Sequence, residues 1–322
     1  MSPFIAAKGL SNPHLQTLLP RLLRRAPCFT PVWQTLTTPD GDFLDLAWSE
    51  PMAQAVNKPI FVLFHGLEGS FYSPYANGLM KAFADHGWLS VMMHFRGCSG
   101  KPNRLARAYH SGETEDPRFV LEYLRQQFPQ RTIIATGVSL GGNMLVNYLA
   151  RYRHDPLIDA ANVISAPLDL AACSQRIENG FSKLYRRYLL SSLKRNALKK
   201  APLLQNTLGL TPEAIRQVTK LYQFDDLITA PLHGFQNAHD YYHQCSGLQK
   251  LDQISIPTLI IHAADDPFMT DAVIPRGQLN PLIDYQLYQH GGHVGFVSGH
   301  LGQVRFWLEH ALPLYYKEVT NG

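Results

Sequence analysis

The sequence predicts an α/β fold: a mostly parallel, doubly wound sheet of about eight strands, with helices on both faces and a helical cap inserted into it. Three observations carry this. Short apolar runs rich in β-branched and aromatic residues recur at Ile60 to Phe64, Trp88 to Phe95, Ala160 to Ala166 and Ile256 to His262, and segments with apolar residues at helical spacing stand between most of them. The stretch from Arg131 to Leu149, RTIIATGVSLGGNMLVNYL, passes from one such run through a Gly-x-Ser-x-Gly turn into a helix. From residue 168 to about 250 the alternation stops and only helical spacing remains.

Composition bounds the function. The chain has 322 residues, 45% hydrophobic, 17% charged and 11% aromatic, as in a soluble globule, with no repeat or low-complexity tract. No apolar run approaches the roughly twenty residues that cross a bilayer. MSPFIAAKGLSNPH lacks a charged n-region before a long apolar core, so no secretory signal and a cytoplasmic location are expected. Cys28, Cys98, Cys173 and Cys245 are scattered without zinc-ligand spacing, the pattern of idle thiols in a reducing compartment. No metal and no organic cofactor are expected. The net charge is +4, yet residues 180 to 212 hold Lys183, Arg186, Arg187, Lys194, Arg195, Lys199 and Lys200 and no acid.

Residues 1–30 read as an N-terminal arm. Leu15, Leu18, Leu19, Leu22 and Leu23 describe one helical face that Pro20 should interrupt, either packed on the globule or placed at a membrane surface or substrate entrance. Residues 31–167 open the core. Val32 to Trp48 alternates around Pro39-Asp40-Gly41-Asp42, giving an antiparallel hairpin. The buried strand ending at Phe64 runs into His65-Gly66-Leu67-Glu68-Gly69-Ser70, a loop at the strand end where open α/β sheets place ligands. His65 itself reads as a hydrogen-bonded loop former. A helix over 74–86 and a strand over 88–95 follow. Arg96 to Pro102 superficially resembles a phosphate loop, but its glycines are too close and Pro102 stands where Ser or Thr would hold magnesium, so nucleotide binding is excluded and pocket lining remains. Residues 111–128 start with Ser111, Glu113 and Glu115 and continue with apolar helical spacing, which predicts a crossover helix.

Residues 168–250 form the predicted helical cap, with helices around Phe181 to Leu189, Pro212 to Tyr222 and Gln236 to Cys245. Its basic run is either a solvated helix face or an attractor for an anionic headgroup, an acidic substrate or a membrane surface. His239 and His243 stand four apart but lack further metal ligands. Residues 251–322 resume the core with strands over 256–262 and 284–288.

The chemistry converges on three loops. A serine at a strained strand-to-helix turn projects its hydroxyl above the sheet, and the helix start beneath it points an N–H at developing negative charge. Ser139 is the candidate nucleophile, with the N–H groups of Leu140 and of Leu67, in the glycine loop, as oxyanion donors. Serine needs a base, and the base needs a carboxylate to fix its tautomer. Asp266 after the strand over 256–262 and His293 after the next complete the order Ser, Asp, His. Asp266 is preferred to its neighbour Asp265 because one residue and then an apolar Phe268 follow it; Asp169 is a third choice. His293 is preferred to His290 for the glycines around it.

These segments resemble the α/β-hydrolase superfamily from about residue 30 onward, and within it the YheT-type subgroup of bacterial esterase-like proteins and their eukaryotic α/β-hydrolase-domain relatives, some of which act on lipids. The residues that carry the resemblance are NPHLQTLLP (12–20), HGLEGS (65–70), RGCSG (96–100), HSGETED (110–116), GVSLGGN (137–143), ADDPF (264–268) and GGHVGF (291–296). The N-terminal piece separates this subgroup from generic esterases. The resemblance implies Ser139, Asp266 and His293 as charge-relay residues and supplies no substrate.

The expected activity is hydrolysis of a small-molecule carboxylic ester through an acyl-serine, extending to acyl lipids if the cap is apolar inside. Acyl transfer to an alcohol would use the same residues. A hydrolase fold used only for binding is the non-enzymatic alternative. Nucleic acid is not an expected partner, because no recognition motif accompanies the basic run. The arm and the basic cap admit peripheral contact with membrane or lipid, and oligomeric state is not legible.

Overall fold

The computed structural model describes residues 2–55, 57–300 and 302–320. The arm holds helix α1 (Pro13–Leu23). The core then runs β1 (Val32–Thr37), β2 (Phe43–Trp48), β3 (Ile60–Phe64), α2 (Pro74–Asp85), β4 (Leu89–Met93), α3 (Glu115–Gln127), β5 (Ile133–Val138), α4 (Leu140–Arg151) and β6 (Ala160–Ile164). An all-helical segment follows: α5 (Leu170–Arg176), α6 (Ser182–Lys199), α7 (Ala201–Leu208), α8 (Pro212–Gln217), α9 (Leu221–Phe224), a π turn (Asp225–Thr229), α10 (Ala230–Leu232) and α11 (Ala238–Cys245). Then come β7 (Thr258–Ala263), β8 (Ile283–Tyr288), the hairpin β9 (Val297–His300) and β10 (Gln303–Phe306), and α12 (Trp307–Thr320).

The eight-stranded sheet has the order β1-β2-β4-β3-β5-β6-β7-β8. The strand β2 runs antiparallel to both its neighbours, β1 and β4, and β3 through β8 are mutually parallel. Strand order reverses between β3 and β5, which opens a crevice at their C-terminal ends. Side chains alternate across β3: Ile60, Val62 and Phe64 pack with α3 and α4 on one face, while Phe61 and Leu63 pack with α2 and α12 on the other. The helical segment between β6 and β7 has a small core of its own around Leu204, Ile215, Phe224 and Ile228.

Several elements depart from expectation. The helix α1 passes through Pro20 unbroken, because a proline near the end of a helix removes one N–H bond of the last turn. Its buried residue is Gln16, whose amide donates to Leu10 O and Val297 O and whose oxygen accepts Val297 N–H. Leu15, Leu18, Leu22 and Leu23 face outward instead. The helix expected over 111–128 begins only at Glu115, since Ser111 and Glu113 are taken by side-chain contacts: Ser111 N–H donates to Tyr241 Oη, and Glu113 pairs with Arg107. The strands are not uniformly buried; β1 and β8 are edges, open on one face. The hairpin β9–β10 has too short an apolar pattern to be read from sequence.

Candidate active site

The strand β5 delivers Ser139 at its C-terminal end, and α4 starts on the next residue. At φ 53° and ψ −120°, Ser139 occupies a backbone region that a side chain makes costly. The surrounding packing enforces it. A Cβ on Gly137 would lie 2.3 Å from the carbonyl oxygen of Gly141, and one on Gly141 would lie 2.5 Å from those of Phe64 and His65, so strand and helix can meet only through glycine. Of the six non-glycine residues with positive φ among the described residues, Glu68, Ser139, Ser165, Val294 and Phe296 all sit in loops at this end of the sheet.

Two strands away the turn after β7 carries Asp266, and three strands away the loop after β8 carries His293. The Oδ2 of Asp266 accepts Nδ1–H of His293 at 2.8 Å, which leaves Nε2 to accept the Ser139 hydroxyl at 2.9 Å. Asp266 Oδ1 accepts the Phe268 N–H at 2.8 Å, and the Phe268 ring stacks on the imidazole with centroids 4.1 Å apart. The carboxylate is almost wholly buried and the imidazole is 13% exposed, so the ring is held from one side and open to the cavity on the other.

The neighbouring candidates are engaged elsewhere. Asp265 accepts Gly292 N–H at 2.9 Å and stands 3.3 Å from the exposed His290, bracing the loop from outside. Asp169 caps α5 through Ala172 N–H. Sequence prefers Asp266 for the Pro267-Phe268 that follows it, and in the structure Asp266 meets His293 while Asp265 meets Gly292 N–H.

Leu140 begins α4, so no carbonyl within the helix receives its N–H. The Gly66–Leu67 segment passes directly beside Ser139: a Cβ on Gly66 would lie 3.1 Å from Ser139 Cβ. Leu67 and Leu140 line the same cavity as Ser139 and His293. His65 is fully buried; its Nε2 accepts Phe95 N–H and its Nδ1 donates to Gly66 O, and burial pushes its pKa down to about 3. A neutral ring fixed at both nitrogens shapes the loop.

Sequence reasoning passed over three supports. Tyr75 Oη accepts Gly66 N–H at 2.8 Å. Glu68, whose carboxyl is raised by burial despite hydrogen bonds from Tyr109 and Asn196, joins the core loop to α6. Thr17 on α1 accepts the backbone N–H of His293 at 2.9 Å. The signal for Thr17 was present, since it lies inside the N-terminal motif, but no local pattern connects residue 17 to residue 293.

The cavity measures about 770 Å³ and is walled above Ser139 by apolar side chains of the helical segment, among them Ile177, Leu193, Leu204, Phe224 and Ile228. It is large enough for a long acyl chain. At its edge the loop from Arg96 is held structurally: the guanidinium forms a buried pair with Asp116 and reaches Asp40 and Asp42. Among the described residues, the His, Cys, Asp and Glu group compact enough to share a cation is His110, Glu113 and His233. Arg107 already pairs with Glu113 and Gly112 N–H occupies His110 Nδ1, whereas the buried His233 Nε2 has no hydrogen-bond partner among the described residues. His239 and His243 are exposed and outside that group.

Comparison with known proteins places these features. A family model described as the alpha/beta hydrolase fold matches residues 59–299. The Escherichia coli protein named "Putative esterase YheT" is 54% identical over 311 residues, covering 96% of this chain and 92% of that one. Human phospholipase ABHD3 is 27% identical over 292 residues, 88% of this chain and 71% of its own. Among solved structures, an esterase of Pyrococcus furiosus superposes with a TM-score of 0.56 at 14% identity, covering 91% of this chain and 90% of its own.

Proposed function

Because this chain belongs to the α/β hydrolase family, we propose that it is a carboxylic ester hydrolase working through an acyl-Ser139 intermediate. The observation that carries the proposal is the pair of hydrogen bonds on His293, 2.9 Å to Ser139 Oγ and 2.8 Å to Asp266 Oδ2. His293 Nε2 takes the hydroxyl proton as Ser139 Oγ bonds to the ester carbon. The carbonyl oxygen becomes an oxyanion facing the N–H groups of Leu67 and Leu140. The C–O bond to the alcohol breaks, and His293 gives the alcohol its proton. Water then repeats the sequence on the acyl-enzyme, releasing the acid and restoring Ser139.

Asp266 holds the imidazole tautomer and stabilises the imidazolium in both steps. The helical segment acts as a cap that shields the oxyanion from bulk water and accommodates the acyl chain, which favours esters of acyl lipids over very short ones. The names of relatives, an esterase and a phospholipase among them, support this reading.

The test is labelling by a fluorophosphonate together with turnover of p-nitrophenyl esters of increasing acyl length. Wild type should label, and Ser139→Ala and His293→Ala should not. Folded wild type that neither labels nor turns over any ester, with the cap loosened by detergent, would refute the proposal. Product analysis with added alcohols distinguishes hydrolysis from acyl transfer.

A further inference from the structure

The helix α1 presents its leucines to the outside. Its inner side is pinned by Gln16 in the core and by Arg24, which pairs with Glu309 and lies over Phe306. The stripe Leu15, Leu18 and Leu22, spaced three and four apart, is left in solvent at 47%, 37% and 60% exposure.

The first half of α6 and the residue before it continue this face. Phe181, Leu184 and Tyr188 are each about half exposed. The His14 ring packs 4.3 Å from that of Phe181, His14 Nδ1 lies 3.0 Å from Tyr185 Oη, and the Arg21 guanidinium sits 4.5 Å over Tyr188. The two helices therefore form one apolar ridge rather than two separate patches. Single exposed apolar residues are ordinary; a contiguous set on two adjoining helices is not.

The unpaired charges on the ridge share one sign, while Glu178 beside it is paired with Arg186. Arg21, Arg25, Lys183 and Arg187 are exposed and form no ion pair among the described residues, and neither α1 nor α6 contains an acidic residue. A water-facing helix ordinarily interleaves acids with bases. A helix face with leucines and aromatics flanked only by Arg and Lys is suited to the boundary between acyl chains and anionic headgroups.

The ridge also borders the entrance to the candidate site. Leu18, Arg21, Phe181, Leu184 and Tyr188 line the cavity that contains Ser139 while remaining exposed themselves, so the opening lies on this face.

We propose that the ridge formed by α1 and the start of α6 docks this protein on an anionic lipid leaflet and sets the mouth of its cavity against the membrane. Docking follows from the surface alone; transfer of a membrane-derived acyl ester to Ser139 rests on the ester-hydrolase reading. The occupant is a lipid surface rather than a second protein because the basic rim is not accompanied by acids that would match a mixed-charge protein face.

The experiment is co-sedimentation of the full chain bearing Ser139→Ala with vesicles of phosphatidylcholine alone, or with about one third phosphatidylglycerol. Two further variants, Leu15→Asp with Leu22→Asp and Lys183→Glu with Arg187→Glu, change residues outside the cavity lining. Binding should be about tenfold tighter to anionic vesicles, fall with added salt, and drop about tenfold or more in either double variant. Both double variants, with Ser139 intact, should keep wild-type turnover of a soluble short-chain ester. Absence of vesicle binding, equal binding to neutral vesicles, or undiminished binding by both variants would overturn docking. Loss of ester turnover in wild type with vesicle binding intact would instead overturn the hydrolase reading and leave docking in place.

Discussion

The hydroxyl of Thr17 accepts the backbone N–H of His293 at 2.9 Å while donating to Pro13 O at 2.7 Å. The arm thus holds the residue that contacts Ser139, although 276 positions separate the two residues in the chain. Gln16 adds bonds to Val297 a few residues further on. The N-terminal motif has a physical role here as a brace on the histidine loop.

Removing that brace should slow turnover without abolishing it. One hydrogen bond to a backbone N–H has a net worth of about 1 kcal/mol. Thr17→Val should lower kcat roughly five- to tenfold by letting the imidazole drift, while Thr17→Ser retains most activity. Steady-state kinetics on a soluble ester, with melting curves to confirm folding, check this.

The adjacent aspartates should behave differently. Asp266→Asn removes the acceptor that fixes the His293 tautomer and should cost about 10³–10⁴ in kcat. Asp265→Asn removes a loop brace, so kcat should stay within about tenfold while the melting temperature falls by a few degrees. Equal losses of kcat would contradict the division of roles.

The elbow should not tolerate a methyl group. In Gly141→Ala the new Cβ meets two backbone carbonyl oxygens at 2.5 Å, and neither can rotate away. We expect a loss of about 3 kcal/mol or more, read as a melting temperature at least ~5 °C lower or as insoluble protein.

Asp225 should give the helical segment a measurable pH dependence. Burial raises its carboxyl to about 6, against hydrogen bonds from Tyr242 and Thr229 that favour ionisation. An acid with a raised folded pKa holds its proton more tightly folded than unfolded. Its protonated form therefore favours the native state below the unfolded value of 3.8, and that contribution is lost as pH rises through about 6. The displacement corresponds to roughly 3 kcal/mol. Melting curves between pH 4 and 7 should show a downward component for wild type that Asp225→Asn lacks.

The sequence by itself determined the sheet, the helical insertion and the residue types at the site. Buried parallel strands must be short and apolar on both faces, so Ile60 to Phe64 and Ile133 to Val138 are visible without a structure. The elbow is equally visible, because its glycines are forced by contacts within one strand-turn-helix unit. Tertiary structure decided what depends on direction or distance. It assigned Asp266 and Asp265 to opposite sides of one turn, tied Thr17 to His293, and turned the α1 leucines outward while burying Gln16. Local pattern records spacing along the chain. It does not record which of two adjacent side chains faces a partner, or which face of a helix the rest of the fold will cover.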